Sequence, residues 1–385
     1  MPHPSEPHLT EAPVVHLPLY AKVALVGVAL ALLVFTVHVA GEIIFPLGFA
    51  GIFAVLLHPI EQWLRRHRVP ELLAIGLTVL LGVVVVLGLV FFIYLEALQL
   101  GEQAPLFKTK FAAAAQQLTG WLNTRFGVTD QKINSWLNEG ASRLTGLAGG
   151  TLSALTRLLV VLALVPVYVF LLLLYQDLLV AFLTQVFSGR RRSAGVAEVL
   201  RESKTTVQSY MVGLLIEGSI VSALNVTALL ILGVPYALLL GVLGGLLNFI
   251  PYIGGFVAIL LPTLMAFVTQ EGYGTALGVV GLYVIIQFLD NHLLIPRIVA
   301  SKVKVNALVA IVGVLIGNAI GGVAGMFLAL PTIAVLKIVF DRIPALKPWG
   351  LVLGDGEVSG TPGRKITPAT APVLKVKDNA LLDEK

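Results

Sequence analysis

From Lys22 to Ile60 the chain is almost continuously apolar, about twice the ~20 residues that one helix needs to cross a bilayer. Gly41, Glu42 and Pro46 divide this run into two spans. Further apolar segments cover 71–97, 152–175, 206–232, 237–268, 274–295 and 306–340. Only structures that satisfy their own backbone can cross lipid, so the pattern predicts an all-α, polytopic transmembrane bundle of about eight membrane segments. Runs this long leave little polar surface. Hydrophobic residues make up 57% of the chain and charged ones 12%, where a soluble domain carries about 25% charge. An ordinary soluble enzyme is excluded, and the lipid bilayer is the expected partner of the outer surface.

The expected organisation is a disordered tail over 1–21 and N-terminal membrane segments over 22–97. Extracytoplasmic amphipathic helices follow over 98–151, then a membrane segment and basic cytoplasmic helix over 152–205. A C-terminal membrane core covers 206–342, and a disordered tail covers 343–385. Within 98–151, Phe107, Phe111, Leu118 and Leu122, then Ile133, Trp136, Leu137 and Leu144, fall at spacings of three and four, the repeat of a helix face. Arg65, Arg66 and Arg68 follow the second segment, while Arg190, Arg191, Arg192, Arg201 and Lys204 follow the fourth. Lys and Arg favour the cytoplasmic ends of membrane spans, which places both loops and the N-terminus inside. The net charge of +5 is spread over such connections and the termini, so no nucleic-acid partner is expected.

If every later segment simply crossed, the loop holding Arg297, Lys302 and Lys304 would fall outside. Two segments offer a way back. Residues 237–268 are interrupted by Asn248, Pro251, Gly254, Gly255 and Pro262, and residues 306–340 by Gly317, Asn318, Gly321, Gly322 and Pro331. Irregular backbone at membrane depth survives where protein or a water-filled cavity satisfies it, so each segment can be a re-entrant pair of half-helices. The two also resemble each other: Asn248, Gly254-Gly255 and Leu261-Pro262-Thr263 recur about 70 residues later as Asn318, Gly321-Gly322 and Leu330-Pro331-Thr332. Paired Gly/Pro-broken segments in corresponding positions point to the substrate site of a transporter.

A charge at the bilayer centre costs about 2.5–3.5 kcal/mol on insertion scales, so each needs a partner or a function. Glu217 is one, with Tyr210, Gly213 and Asn225 on about the same helical face. It reads either as an ion-coupling group or as a protonated carboxyl holding two helices together. Gln287, Asp290 and Asn291, at i, i+3 and i+4, form a second polar face, followed by Arg297. Their oxygens suit sodium, a proton or a polar solute; the structural alternative pairs Asp290 with Arg297 or Lys302 at the membrane edge. The sequence lacks G-x-x-x-x-G-K-[ST], H-E-x-x-H and G-x-S-x-G, and it has no cysteine. No catalytic activity, metal or cofactor is expected beyond proton or sodium coupling.

Leu232-Gly233-Val234-Pro235-Tyr236-Ala237, Asn248-Phe249-Ile250-Pro251-Tyr252-Ile253-Gly254-Gly255, Gln287-Phe288-Leu289-Asp290-Asn291 and Pro296-Arg297 resemble, in order and spacing, the autoinducer-2 exporter family of bacterial membrane proteins. The likeness spans about residues 20–342. It implies a multi-pass transporter of the bacterial inner membrane in a homo-oligomeric state, and with the charge pattern above both termini are expected to be cytoplasmic. Such a protein would export a small polar solute, such as the quorum-sensing signal autoinducer-2; sodium/proton antiport is the other activity linked to the family. The family's Pro-Tyr-x-Gly turn maps onto Pro251, Tyr252 and Gly254, and its Gln/Asp/Asn cluster onto Gln287, Asp290 and Asn291. Combined with the membrane-embedded charges above, the expected pathway holds Glu217 and Asp290 for coupling, and Asn225, Asn248, Gln287, Asn291, Arg297 and Asn318 as polar contacts. Broken helices at Pro251, Tyr252, Gly254 and Gly321 line it. A contrasting reading is a membrane scaffold that binds an envelope partner through 98–151.

Overall fold

A computed structural model describes residues 18–102, 109, 151–187, 193–249, 254–270, 273–299 and 305–354. Both expected tails beyond these limits, most of 98–151, the arginines 190–192, Pro251, Tyr252, Lys302 and Lys304 lie outside the described residues. The elements are α1 (Leu19–Val39), α2 (Gly41–Arg66), α3 (Glu71–Glu102), α4 (Thr151–Leu174), α5 (Gln176–Phe187), α6 (Ser193–Ile231), α7 (Ala237–Leu247), α8 (Gly254–Thr269), α9 (Gly274–Leu289), a π-helix (Asp290–Val299), α10 (Ala307–Arg342) and α11 (Lys347–Leu353). No strand occurs among the described residues.

Local chemistry ends two of these helices in the same way. At the end of α6, Gly233 takes φ +66°, its N–H donates to Leu230 O and that of Val234 donates to Leu229 O. This is a Schellman cap, and Pro235, which cannot continue a helix, follows it. At the end of α2 the same pair of bonds runs from Arg68 to Arg65 O and from Val69 to Leu64 O, with Arg68 at φ +65° and Pro70 next.

Five stretches are long and apolar enough to cross a membrane: Gly41–Arg66, Glu71–Glu96, Gly195–Ile231, Gly274–Val299 and Ala307–Arg342. A sixth is the pair Ala163–Leu174 and Gln176–Phe187, bent by 67°. The eight segments expected from the sequence thus become five to six by length. The difference arises partly because 237–268 divides into two short helices, each under the span of a bilayer.

Those short helices form a hairpin. Gly254 lies against the backbone of Leu247 and Asn248, a Cβ at Gly244 would stand 3.5 Å from that of Ala258, and Ala237, Leu240, Met265 and Ala266 share one apolar cluster. The base closes through Gln270 Nε2, which donates to Gly233 O at 2.8 Å.

Although long enough for one crossing, α10 is a hairpin as well. Its backbone leaves the helical region at Gly321 (φ −139°, ψ 18°) and Gly322 (φ 57°, ψ −140°). Gly317 and Gly325, eight positions apart, press backbone to backbone, and Gly313 meets Ile333. A straight helix would hold positions eight apart at about 12 Å. The arms 307–320 and 323–342 are therefore antiparallel. At the base, Asn306 caps its own helix by accepting from Val309 N at 2.8 Å and donates to Val352 O at 2.6 Å, while its N–H donates to Leu353 O at 3.1 Å.

The two hairpins enter from opposite ends. The first hangs from the C-terminal end of α6. The base of the second lies at the N-terminal end of α6, where Arg342 pairs with Glu198 at 3.0 Å and Glu202 at 2.8 Å. Arg65 of α2, Lys204 of α6 and the α4–α5 junction share that end, because they line one cleft. Arg65, Arg66 and Lys204, three of the basic groups expected on one face of the membrane, thus line a common cleft.

Candidate transport site

One face of α6 is buried along most of its length: Tyr210, Leu214, Glu217, Val221, Asn225 and Ala228 follow a spacing of three and four. Glu217 is 1% exposed and stands in the middle of this face. The first hairpin runs antiparallel along it, with Gly241, Gly245 and Phe249 facing Val226, Ser222 and Gly218. That register brings Asn248, at the end of α7, to the level of Glu217. From the other side α9 ends at Leu289 and widens into the π-helix at Asp290, which is also 1% exposed. The wide helix runs for ten residues and contains Pro296, which has no N–H to give to a regular helix.

Asn248 joins the two carboxyls. Its Nδ2 donates to Glu217 Oε1 at 2.5 Å and to Asp290 Oδ2 at 2.8 Å, using both amide protons. Gln287 Nε2 contacts the same Asp290 oxygen at 3.4 Å and Asn291 Oδ1 at 3.4 Å. Asp290 Oδ1 and Asn225 Oδ1 are buried without a hydrogen-bond partner among the described residues. Two buried carboxyls with no ion pair to a basic side chain among the described residues are costly if both are charged, and either protonation or a bound cation would relieve that cost. The oxygen atoms gathered here are of the kind that suit a proton or a hard monovalent cation.

Of the residues expected in the pathway, Glu217, Asn248, Gln287 and Asp290 meet here. Asn225 is buried further along α6, with its amide nitrogen 2.8 Å from where a Cβ on Gly244 would lie. Gly254 begins α8 beside Asn248, and Asn291 is exposed on the far side of Gln287. Arg297 is exposed further along the π-helix. Asn318 is exposed too, on the first arm of the second hairpin, and Gly321 packs against the Phe45 ring at that hairpin's tip.

The sequence reading passed over Glu61. It is 0% exposed, on the floor of a cleft of about 480 Å³ lined by α2, the α4–α5 junction and α6. Arg65 Nη1 lies 3.1 Å from its Oε1 and 3.2 Å from Glu71, while His58 Nδ1 stands 3.3 Å from its Oε2. Lys204 reaches the same cleft from α6. The available signal was the spacing of His58, Glu61 and Arg65, at i, i+3 and i+7 on one helix face. Between cleft and central cluster, Ile52, Val207, Tyr210, Met211 and Leu214 form an apolar layer.

Spanning helices, two opposed hairpins and a buried polar cluster at the end of the first define a polytopic membrane transport protein. The sequence comparisons specify it further: the chain matches the AI-2E family transporter over residues 26–345 and belongs to that family. Among its relatives is YrrI of Bacillus subtilis, named as a transport protein and 26% identical over 308 residues, covering 77% of this chain and 85% of the relative. A transport protein of Haemophilus influenzae is 27% identical over 346 residues, covering 86% and 96%. The AI-2 transport protein TqsA of Escherichia coli is 27% identical over 335 residues, covering 87% and 96%.

Proposed function

We propose that this chain is a secondary transporter of the bacterial inner membrane, with cytoplasmic termini, that carries a small polar solute outward and couples the movement to a proton or sodium ion. The reading rests on the buried Glu217–Asn248–Asp290 cluster, whose two carboxyls have no ion-paired basic side chain among the described residues. A cation bound there offsets the carboxyl charge and stabilises the docked first hairpin. Its release on the other face frees the Asn248 end to move, which links ion and solute steps. The relative named as an AI-2 transport protein supports a solute of that kind. Where the ion itself is the cargo, the same cluster serves a sodium/proton antiporter.

Flux in proteoliposomes under an imposed proton or sodium gradient is the direct test. Asp290→Asn and Glu217→Gln each remove one charged ligand, an interaction of about 1.5–3 kcal/mol, so gradient-dependent flux should fall about 10- to 100-fold. Coupled transport at the parent rate in both variants would refute the assignment.

A further inference from the structure

The C-terminal core is built twice, and its two units are in different states. The hairpins begin 70 residues apart, at Ala237 and Ala307, and their amides stand at Asn248 and Asn318. The spanning helix before each follows the same offset, with Glu217 of α6 corresponding to Gln287 of α9. Because the hairpins enter from opposite ends, the units are inverted relative to each other. In inverted repeats, the binding site lies where the units meet, and opening on each side comes from one moving against the other.

The first hairpin is seated on its own spanning helix through Gly241, Gly245 and Phe249 against Val226, Ser222 and Gly218. Shifted by 70 residues, these contacts would join Ile311, Leu315 and Ala319 to Pro296, His292 and Phe288. They are not made here: Leu315 is 62% and Phe288 60% exposed, and the other four are exposed as well. α10 packs chiefly on α6, α2 and α11 instead. Asn318 lies on the same uncovered face. An amide is poorly accommodated against lipid, so this one is built to meet a polar partner in some state of the protein.

We propose that in the opposite-facing state the second hairpin closes onto α9 and the π-helix, and that Asn318 takes the place of Asn248 at the site. By the repeat it meets Gln287, and through Gln287 it comes beside Asp290, whose Oδ2 that amide already contacts at 3.4 Å. Ile311 and Leu315 stand where the first hairpin has glycines, so this second contact is wider than the first. The inference rests on the transporter reading for its meaning in the cycle, while the closure itself is a statement about structure.

The chain has no cysteine, so introduced pairs can be read without background. Full-length Phe288→Cys/Ala319→Cys and His292→Cys/Leu315→Cys proteins are reconstituted in liposomes, then oxidised or treated with a short bifunctional methanethiosulfonate. Links within a single chain are expected, with flux lost on linking and recovered on reduction. Absence of any link, or links only between chains, would overturn the closure. Links that form while flux is unaffected would uphold the closure and count against its place in transport. Asn318→Ala should lower flux about tenfold while leaving thermal stability unchanged, since the residue is exposed here; parent-level flux would remove Asn318 from the site.

Discussion

Asn248 does what neither carboxyl could do alone: it lets two buried acids lie close without a basic partner. Asn248→Ala should therefore cost about 2 kcal/mol of stability, visible as a lower unfolding temperature in detergent, because it strips a charge-assisted hydrogen bond from each carboxyl. Adding Glu217→Gln should restore part of that loss, since the new amide can donate to Asp290, and a strictly additive double mutant would contradict the bridge. Glu217 and Asp290 were legible in the sequence because charge inside an apolar run is costly enough to need a reason. Their joint use of Asn248 was not, since that residue is 31 positions from one and 42 from the other. Glu61 was hidden for the opposite reason. It sits among Arg65, Arg66 and His58 near a helix end, where a charge looks solvated, and only the packing of α6 and the α4–α5 junction shows it fully buried.

The hairpins follow from a small number of glycines and prolines. Gly322 at φ 57°, ψ −140° occupies a region essentially closed to other residues, so Gly322→Ala should destabilise the protein by about 1–3 kcal/mol and impair transport. Gly51, inside α2 with nothing within 4 Å of where a Cβ would lie, provides the contrast: Gly51→Ala should stabilise by about 0.5–1 kcal/mol in the same thermal assay. A shared response of the two variants would argue against the turn. The interruptions in 237–268 and 306–340 were visible as sequence. Whether the chain kinks and continues or doubles back was decided by contacts such as Gly317 with Gly325, which no local pattern specifies.

Topology joins these pieces. With α10 folded back, Val305 and Lys347 flank one hairpin base and share a side with Arg66, whereas Gly274 lies beyond the first hairpin at the opposite end. Single cysteines at Arg66, Val305 and Lys347 should react with a membrane-impermeant maleimide from one face of the membrane, and one at Gly274 from the other. Labelling of Val305 and Lys347 from opposite faces would make α10 a crossing helix. The apolar runs were enough to require an all-helical membrane protein, because lipid offers the backbone no hydrogen bonds and each span must satisfy its own. Run length, charge scarcity and the 70-residue echo are properties of neighbours along the chain, so they can be read directly. The opposed entry of the hairpins, the docked state of one beside the uncovered face of the other, and the meeting of Glu217, Asn248 and Asp290 depend on which helices pack together. Helices surrounded by lipid gain little from hydrophobic burial, so their partners are selected by close backbone contact and buried hydrogen bonds, and those exist only once the chain has folded.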